Sequence, residues 1–315
     1  MSEGRINIVL AVGDPRPERW TEPLKSLIPD ASIEVFTDET PSPAGADYAI
    51  VWKPPAALFD QHTSLKAIFC IGAGVDSLLA VPTLPANVPV IRLENAGMAV
   101  QMAEYVAHQI IDITRNMGLY REQQGRNTWK AHRPIERAAW PVGVMGLGEI
   151  GGRVASVLAQ LDYPVNGWSR SMHALDRVKC FAGQADFNAF LSASRILVNT
   201  LPLTSDTAGI INAQTINQLM PEAMIINVGR GGHLVENDLL KALAERRVIR
   251  ATLDVFEEEP LPAEHPFWRD PHVTITPHVA ATTLRDETIE QIAGKILALE
   301  AGQTVTGIVD RQHSY

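Results

Sequence analysis

Three polar residues in the second half of the chain have the side-chain types that reduction of a ketone requires. Arg230, Glu259 and His278 each follow an apolar run that predicts a strand of a parallel sheet. The carboxyl ends of such strands share the edge where α/β sheets bind ligands. An arginine can bind a carboxylate, a histidine can transfer a proton, and an acid can orient the histidine. The three residues are therefore candidates for the catalytic group of such a reaction.

Each of the three residues also has an interpretation without catalysis. Arg230 could contact a helix terminus or a phosphate, Glu259 could be a solvated acid in a charged run, and His278 could be an ordinary loop histidine. On the residues alone these alternatives stay open. The remaining histidines are interpreted as surface or core residues, with His233 the most open to another role: His62, His108, His132, His173, His233, His265, His272 and His313.

A G-x-G-x-x-G pattern, Gly146, Gly148 and Gly151, lies between a predicted strand (142–147) and a predicted helix (150–161). In dinucleotide-binding folds the first glycine makes the tight turn, the second lets the backbone approach the pyrophosphate, and the third allows close helix packing. The N-terminus of the helix offers free N–H groups to the phosphates. We predict a dinucleotide site here; the alternative is a glycine-rich turn without a ligand.

The end of the next predicted strand, 165–169, indicates which dinucleotide would bind. An acid about 20 residues past the glycine turn binds the 2′-hydroxyl of NAD, but Ser169 and Arg170 stand here instead. Serine and arginine can hydrogen-bond and neutralise a 2′-phosphate, which a carboxylate would repel. The sequence therefore predicts NADP, with NADPH preferred over NADH. The alternative is that Arg170 is a solvated residue at a strand end.

A second Gly-x-Gly, Gly72 and Gly74, has Ser77 where a third glycine would stand. This turn is a poor dinucleotide site for that reason. Backbone N–H groups at a helix start can still bind a smaller anion, such as a substrate carboxylate. The alternative is a plain turn between a strand and a helix.

Short apolar runs alternate with helical patterns along most of the chain, which is typical of parallel sheets built from βαβ units. The predicted strands are 6–12, 33–37, 48–52, 67–72, 88–93, 142–147, 165–169, 196–201, 224–228, 252–256 and 273–276. The fold class is therefore α/β. The similar turns at 72–76 and 146–151 favour two doubly wound domains of related design.

The composition of the chain limits the classes of function. Its 315 residues suffice for two domains, and its net charge of −9 argues against a nucleic-acid or acidic-membrane partner. Two cysteines, Cys70 and Cys180, allow no disulfide framework and no metal-ligand spacing. The sequence shows neither a signal peptide nor an apolar stretch long enough to span a membrane. We expect a cytoplasmic protein with a small-molecule substrate and no metal.

One long helix is predicted over 101–119 from its apolar spacing. The polar stretch 121–137 that follows has little periodicity and predicts a surface arm. Trp129, within it, is costly to leave in water, so the arm is expected to pack on a second subunit. Two-fold dimers are the commonest oligomers, and a homodimer is therefore expected.

Several motifs, in order along nearly the whole chain, resemble the D-2-hydroxyacid dehydrogenases, most closely their bacterial glyoxylate/hydroxypyruvate reductase group. These motifs are 48–55, 71–76, 104–105, 146–151 with 168–170, 227–231, 253–262 and 275–280. The resemblance implies a flavodoxin-like substrate domain from residues 1–96 and 285–315. It also implies a Rossmann cofactor domain, 97–284, inserted into the first, with cofactor and substrate in the cleft between them.

The resemblance implies a role for each candidate residue. Arg230 would bind the substrate carboxylate and polarise the C2 carbonyl, and His278 would give a proton to the carbonyl oxygen. Glu259 would hydrogen-bond to His278 and favour its protonated form, since a nearby negative charge stabilises imidazolium. Asp254 would contact the nicotinamide side. The D configuration of the product is implied by the resemblance alone.

The resemblance also implies the residues that line each site. The substrate-binding residues would be Trp52, Ala73, Gly74, Val75, Arg230 and His278, with Lys53 helping to shape the pocket. The cofactor-binding residues would be Gly146, Leu147, Gly148, Glu149, Ile150, Gly151, Trp168, Ser169, Arg170, Ser171, Leu201, Pro202, Thr207, Val228, Gly229, Asp254 and Ala280.

The expected function is reduction of glyoxylate or hydroxypyruvate with NADPH, giving glycolate or D-glycerate. A bulkier 2-keto acid such as phenylpyruvate is an alternative, because pocket size does not follow from these residues. A second alternative, from a different class, is a non-enzymatic NADP-binding sensor on the same fold. The presence of Arg230, Glu259 and His278 together argues against the sensor.

Overall fold

The computed structural model describes residues 5–37, 45–72, 74–133 and 135–311. The chain divides into two compact units: unit 1, Met1–Gly97 with Thr282–Tyr315, and unit 2, Met98–Ala281. Each unit holds one all-parallel sheet. The predicted α/β class with two parallel-sheet domains is confirmed.

The elements are given in chain order. The strands are β1 (Ile6–Ala11), β2 (Ala31–Val35), β3 (Tyr48–Val51), β4 (Ala67–Cys70), β5 (Val90–Arg92), β6 (Val142–Met145), β7 (Val165–Ser169), β8 (Val178–Ala182), β9 (Ile196–Asn199), β10 (Ala223–Asn227), β11 (Val248–Leu253) and β12 (Val273–Ile275). The helices are α1 (Glu18–Leu27), α2 (Ala57–Gln61), α3 (Asp76–Leu79), α4 (Met98–Thr114), α5 (Met117–Gly125), α6 (Glu149–Gln160), α7 (Gly183–Ser192), α8 (Ala213–Gln218), α9 (Glu236–Ala244) and α10 (Arg285–Glu300). Short 3₁₀ turns occur at Arg137–Ala139, Gly231–His233 and Pro266–Arg269.

The strand order of each sheet matches a doubly wound fold. Unit 1 has the order β2-β1-β3-β4-β5, which is flavodoxin-like. Unit 2 has the order β12-β11-β10-β9-β6-β7-β8, which from β8 inward is the Rossmann order with one added strand. The order reverses between β6 and β9, and ligands bind at such a switch point because the connections leave it in opposite directions.

The strands at the centre of each sheet are buried and mostly apolar because helices cover both faces. All four residues of β3, β4, β6 and β9 are buried, as are all five of β10. In unit 2 one apolar cluster contains Phe190, Leu239 and Phe267, and a second contains Val106 and Leu158.

In the part of the chain that the structure describes, no helix is both long enough and apolar enough to cross a membrane.

Three predictions about single elements were wrong. The helix predicted over 101–119 is two helices, because Asn116 takes a left-handed conformation (φ 56°) between α4 and α5; asparagine adopts this conformation more readily than most residues. The strand predicted at 252–256 is β11, which begins four residues earlier, at Val248. The edge strand β8 was not predicted, since its half-exposed alternation lacks a continuous apolar run.

Candidate active site

The last residues of five strands in unit 2 lie in register at one edge of the sheet. These residues are Met145, Asn199, Asn227, Leu253 and Ile275. The segments that follow them carry the glycine turn, Arg230, Glu259 and His278. The fold therefore brings the predicted residues of this unit to the same edge.

His278 and Glu259 form a hydrogen-bonded pair. The distance from His278 Nδ1 to Glu259 Oε2 is 2.8 Å, and the second carboxylate oxygen accepts the N–H of Phe256 at 3.0 Å. The His278 side chain is 47% exposed, so water can reach the ring. With Nδ1 occupied by the acid, Nε2 is the ring atom that remains to exchange a proton with a ligand.

The backbone at His278 has φ 56°, which side-chain-bearing residues seldom adopt and which clusters at functional sites. Buried Asp254 holds this loop in place. Its carboxylate accepts hydrogen bonds from Thr276 Oγ1 (2.5 Å), the N–H of Val279 (2.9 Å) and the N–H of Ala280 (2.9 Å). The predicted contact of Asp254 with nicotinamide stays a prediction, whereas its fixing of the histidine loop is observed.

A tyrosine from α4 extends this support. Tyr105 Oη lies 2.6 Å from Thr276 Oγ1, whose own hydrogen goes to Asp254, so the tyrosine is the donor. Burial raises the pKa of Tyr105 to about 12, and the phenol therefore keeps its proton at neutral pH. The hydrogen-bonded series Tyr105–Thr276–Asp254 positions the segment that carries His278.

The segment that carries Arg230 packs tightly against the segment that carries Glu259. A Cβ at Gly231 would lie 1.8 Å from the carbonyl carbon of Phe256, so only glycine fits there. The half-buried side chain of Arg230 donates from Nη1 to the carbonyl of Gly229 at 2.8 Å. Its positive charge is one of the causes that lower the pKa of Glu259.

The pKa of Glu259 lies below its ordinary value. Burial raises this pKa, but the hydrogen bonds from His278 and the N–H of Phe256 lower it, as do the charges of His278 and Arg230. The carboxylate is therefore ionised at neutral pH and accepts from His278.

Glu259→Gln is expected to change the pH dependence of stability. A depressed folded-state pKa contributes stability above the unfolded value, about 4.3, and this contribution is lost as pH falls through the folded pKa. The variant should therefore have a lower Tm than the wild type near neutral pH, and the difference should shrink below about pH 4.3. Thermal melts from about pH 8 to pH 3.5 measure it. A Tm difference that stays constant over this range would contradict the pairing.

The glycine turn has the shape that a pyrophosphate cradle needs. Gly146 has φ 92°, and a Cβ at Gly151 would lie 1.9 Å from the carbonyl oxygen of Gly146. Helix α6 starts at Glu149 with Gly148 as its extended N-cap. Among the described residues no protein group accepts the N–H groups of residues 147–151. These donors at a positive helix end fit the phosphates of a dinucleotide.

The strand-end residues after β7 offer groups to a further phosphate. Ser169 is buried, and its Oγ donates to the carbonyl of Ser171 at 2.7 Å. Arg170 is exposed, and within the described ranges no protein acceptor binds its guanidinium. His173 Nδ1 lies 3.0 Å from Ser169 Oγ. The sequence alone did not indicate His173 as part of this site. Serine, arginine and histidine here fit an anionic 2′-substituent on the ribose.

Trp168 lies within β7, and its buried ring packs against Phe187 and Phe190. Other predicted cofactor residues of unit 2 lie after the strand ends. Leu201, Val228 and Ala280 are buried. Pro202 accepts the hydroxyl of Thr207 at 2.7 Å, which closes the turn after β9. Their contact with a cofactor stays a prediction.

The predicted substrate residues of unit 1 lie at the carboxyl edge of β3 and β4. A Cβ at Gly72 would lie 2.2 Å from the ring of Trp52, so glycine allows that ring to lie against the turn. The Nζ of Lys53 is 5.9 Å from the centre of the same ring, and Val75 is buried. Gly74 precedes α3, a helix of only four residues. Ala73 and His313 lie outside the described residues.

The sequence profile of the NAD-binding domain of the D-isomer-specific 2-hydroxyacid dehydrogenases matches residues 107–280. The chain is 43% identical over 303 residues to glyoxylate/hydroxypyruvate reductase A of Yersinia enterocolitica, covering 95% of this chain and 96% of that protein. It is 45% identical over 298 residues to the protein of the same name from Serratia proteamaculans, covering 93% and 95%.

Solved structures resemble the whole chain as well. A D-isomer-specific 2-hydroxyacid dehydrogenase of Xanthobacter autotrophicus Py2, in complex with NADPH and MES, superposes with a TM-score of 0.92 at 35% identity, covering 99% of this chain and 100% of that one. An NADPH-dependent glyoxylate/hydroxypyruvate reductase of Sinorhizobium meliloti, in complex with NADP and sulfate, gives 0.91 at 34% identity, covering 98% and 100%.

Proposed function

Because the chain belongs to the D-isomer-specific 2-hydroxyacid dehydrogenase family, we propose that it reduces glyoxylate and hydroxypyruvate with NADPH. The products are glycolate and D-glycerate. The observation that carries the proposal is the pair of His278 with ionised Glu259, at the sheet edge that also holds Arg230 and the glycine turn. The names of the relatives from Yersinia and Serratia support the choice of substrates.

Each side chain has a defined task in this reaction. Bound NADPH supplies the hydride that C2 of the keto acid accepts. Arg230 holds the carboxylate through charge-assisted hydrogen bonds and polarises the carbonyl group. His278 gives the proton on Nε2 to the carbonyl oxygen while Glu259 fixes the ring through Nδ1. The exposed ring then takes a proton from water, so a keto acid gains one hydride and one proton.

An assay of cofactor absorbance tests the proposal directly. Purified protein is mixed with NADPH or NADH and one of four acids: glyoxylate, hydroxypyruvate, pyruvate or phenylpyruvate. Fast NADPH oxidation with the first two acids is expected. Faster turnover of phenylpyruvate would overturn the substrate assignment, and tight NADPH binding without turnover of any acid would favour a sensor.

Arg170→Ala is expected to weaken NADPH binding by about ten- to a hundredfold, the value of one charge-assisted hydrogen bond to phosphate. NADH lacks the 2′-phosphate, so its affinity should stay within about twofold. Fluorescence titration of both cofactors measures this without turnover, and NADH serves as the internal control. An equal loss for the two cofactors would refute the assignment of Arg170 to the 2′-phosphate.

We also propose that the protein is a homodimer. Trp129 is fully exposed (103%), and Met117 and Leu119 on α5 are exposed as well. Large apolar side chains left in water often mark an interaction surface, and the described residues 128–133 around Trp129 carry no helix or strand. Sedimentation at micromolar concentration should show a dimer, and Trp129→Asp should shift it toward monomer. A wild-type monomer would refute the proposal.

The cytoplasm is the proposed location. Cys70 and Cys180 are free thiols in the structure, which suits a reducing compartment. A net charge of −9 fits a protein that works on small molecules rather than on nucleic acid.

A further inference from the structure

His233 is a fully buried histidine whose ring nitrogens both contact backbone at the sheet edge. It is 0% exposed and ends the turn Gly231–His233. Its Nδ1 lies 3.0 Å from the backbone N of Arg230 and 3.0 Å from the carbonyl oxygen of Arg230. Its Nε2 lies 3.1 Å from the carbonyl oxygen of Pro202. The ring thus joins the backbone of the predicted anion-binding arginine to the turn after β9.

The partners of the ring fix its tautomer. A carbonyl oxygen can only accept, so Nε2 must carry the hydrogen that reaches Pro202. In the neutral ring Nδ1 is then an acceptor, and it receives the N–H of Arg230. A proton on Nδ1 would leave that N–H facing another donor. The carbonyl oxygen of Arg230 also lies 3.0 Å from Nδ1, but it already accepts from Asn227 Nδ2, so we assign the neutral ring with hydrogen on Nε2.

Buried Asn227, which Asn199 supports, completes the contacts to the backbone of Arg230. Asn227 Nδ2 donates to the carbonyl of Arg230 at 3.0 Å, and Asn227 Oδ1 accepts the N–H of Gly229 at 3.2 Å. Asn199 Nδ2 donates to the same Oδ1 at 2.9 Å. Asn199 and Asn227 are both 0% exposed and end β9 and β10. Both polar groups of the Arg230 backbone are therefore held from inside the unit.

These hydrogen bonds restrict the backbone of Arg230 to one conformation. A Cβ at Gly229 would lie 2.8 Å from Asn199 Nδ2 and 3.1 Å from His233 Cε1, so only glycine lets the polar groups approach. Apolar side chains of similar size would fill the same space without polar atoms that need partners. Fully satisfied buried polar networks restrict a segment to one conformation, and here the restricted residue is Arg230.

We propose that His233 is a positioning residue that sets Arg230 for the carboxylate of a 2-keto acid and ties it to the cofactor-side turn at Pro202. The proposal rests on the proposed function in assigning the carboxylate to Arg230. Each ring nitrogen contacts the backbone of a segment that binds a different ligand. The Nδ1 contact supports anion binding through Arg230, and the Nε2 contact supports cofactor binding through the turn 201–207.

A pair of amide substitutions separates the two contacts. The amide of asparagine reaches the position of Nδ1, so His233→Asn keeps an acceptor for the N–H of Arg230 and loses the donor to Pro202. The amide of glutamine reaches the position of Nε2, so His233→Gln keeps the donor to Pro202 and loses the acceptor for Arg230. Each variant is the matched control of the other.

The effects of the two variants should be crossed. Oxalate, a non-reacting two-carbon dicarboxylate, is titrated calorimetrically into the NADPH complex, and NADPH is titrated by fluorescence. His233→Gln should weaken oxalate about tenfold, the value of one buried hydrogen bond, and raise KM for glyoxylate by a similar factor. His233→Asn should weaken NADPH about tenfold instead. Equal losses of both ligands in both variants, or a lowered Tm with both affinities unchanged, would overturn the proposal.

A spectroscopic measurement on the wild type tests the tautomer without any variant. Long-range ¹H–¹⁵N correlation spectra distinguish the two neutral tautomers from imidazolium, and His233→Asn assigns the signal by its loss. A neutral ring with hydrogen on Nε2 is expected through the neutral pH range. An Nδ1–H ring or an imidazolium would overturn the proposal.

The binding titrations need no turnover. Crossed effects in a protein that reduces none of the four keto acids would therefore support the positioning role of His233 and refute the proposed function.

Discussion

His278→Asn should lower kcat/KM for glyoxylate reduction by about 10²- to 10⁴-fold, the usual contribution of a positioned general acid. Asparagine tolerates the left-handed backbone at this position (φ 56°), so the loop anchored on Asp254 should keep its shape. The amide N–H groups are not acidic at neutral pH, so they cannot protonate the carbonyl oxygen. Steady-state kinetics measure kcat/KM, and NADPH affinity should stay within about twofold because the ring is assigned to the substrate.

The matched control for this variant is His272→Asn. His272 is exposed and lies before β12, at the opposite end of the strand from His278. Its replacement should leave kcat/KM and NADPH affinity unchanged. Turnover by His278→Asn within about threefold of the wild type, with an unchanged Tm, would remove His278 from the role of proton donor.

The sequence was sufficient to predict features that depend on local pattern. Continuous apolar runs predicted the central strands, because a strand covered on both faces has few polar positions. The glycine spacing predicted the turn at 146–151, because the close approach of Gly151 to Gly146 leaves no room for a side chain. The expected hydrogen bond between Glu259 and His278 is present. The catalytic roles of both residues stay a prediction.

Features that depend on distant parts of the chain were not predictable from these patterns. The support of the His278 loop comes from Tyr105 on α4, 171 residues from Thr276 in sequence. The ring of His233 reaches Pro202, 31 residues away. A buried polar residue has the same letter whether it supports a site or fills a core, and only its partners tell the two apart. For this reason the sequence could mark His233 only as the histidine most open to another role, without indicating what that role is.

The N–H and the carbonyl of Arg230 are both hydrogen-bonded to buried side chains. A change of the arginine side chain should therefore leave the backbone in place. Arg230→Gln should lower kcat/KM for glyoxylate by about 10²- to 10⁴-fold, since two charge-assisted hydrogen bonds at about 1.5–3 kcal/mol each are lost. The loss should appear in both KM and kcat, because the guanidinium binds the carboxylate and polarises the carbonyl. Arg230→Lys should be intermediate, since lysine keeps the charge without the planar fork.

A change at Arg230 has a second readout that needs no substrate. The positive charge of Arg230 is one of the causes that lower the pKa of Glu259, so that pKa should rise in Arg230→Gln and stay low in Arg230→Lys. Carboxyl ¹³C shifts followed through a pH titration measure it. The control is Arg269→Gln, an exposed arginine on the 3₁₀ turn Pro266–Arg269. If Arg230→Gln kept turnover within about threefold of this control, the carboxylate of the substrate would have to be held by another group.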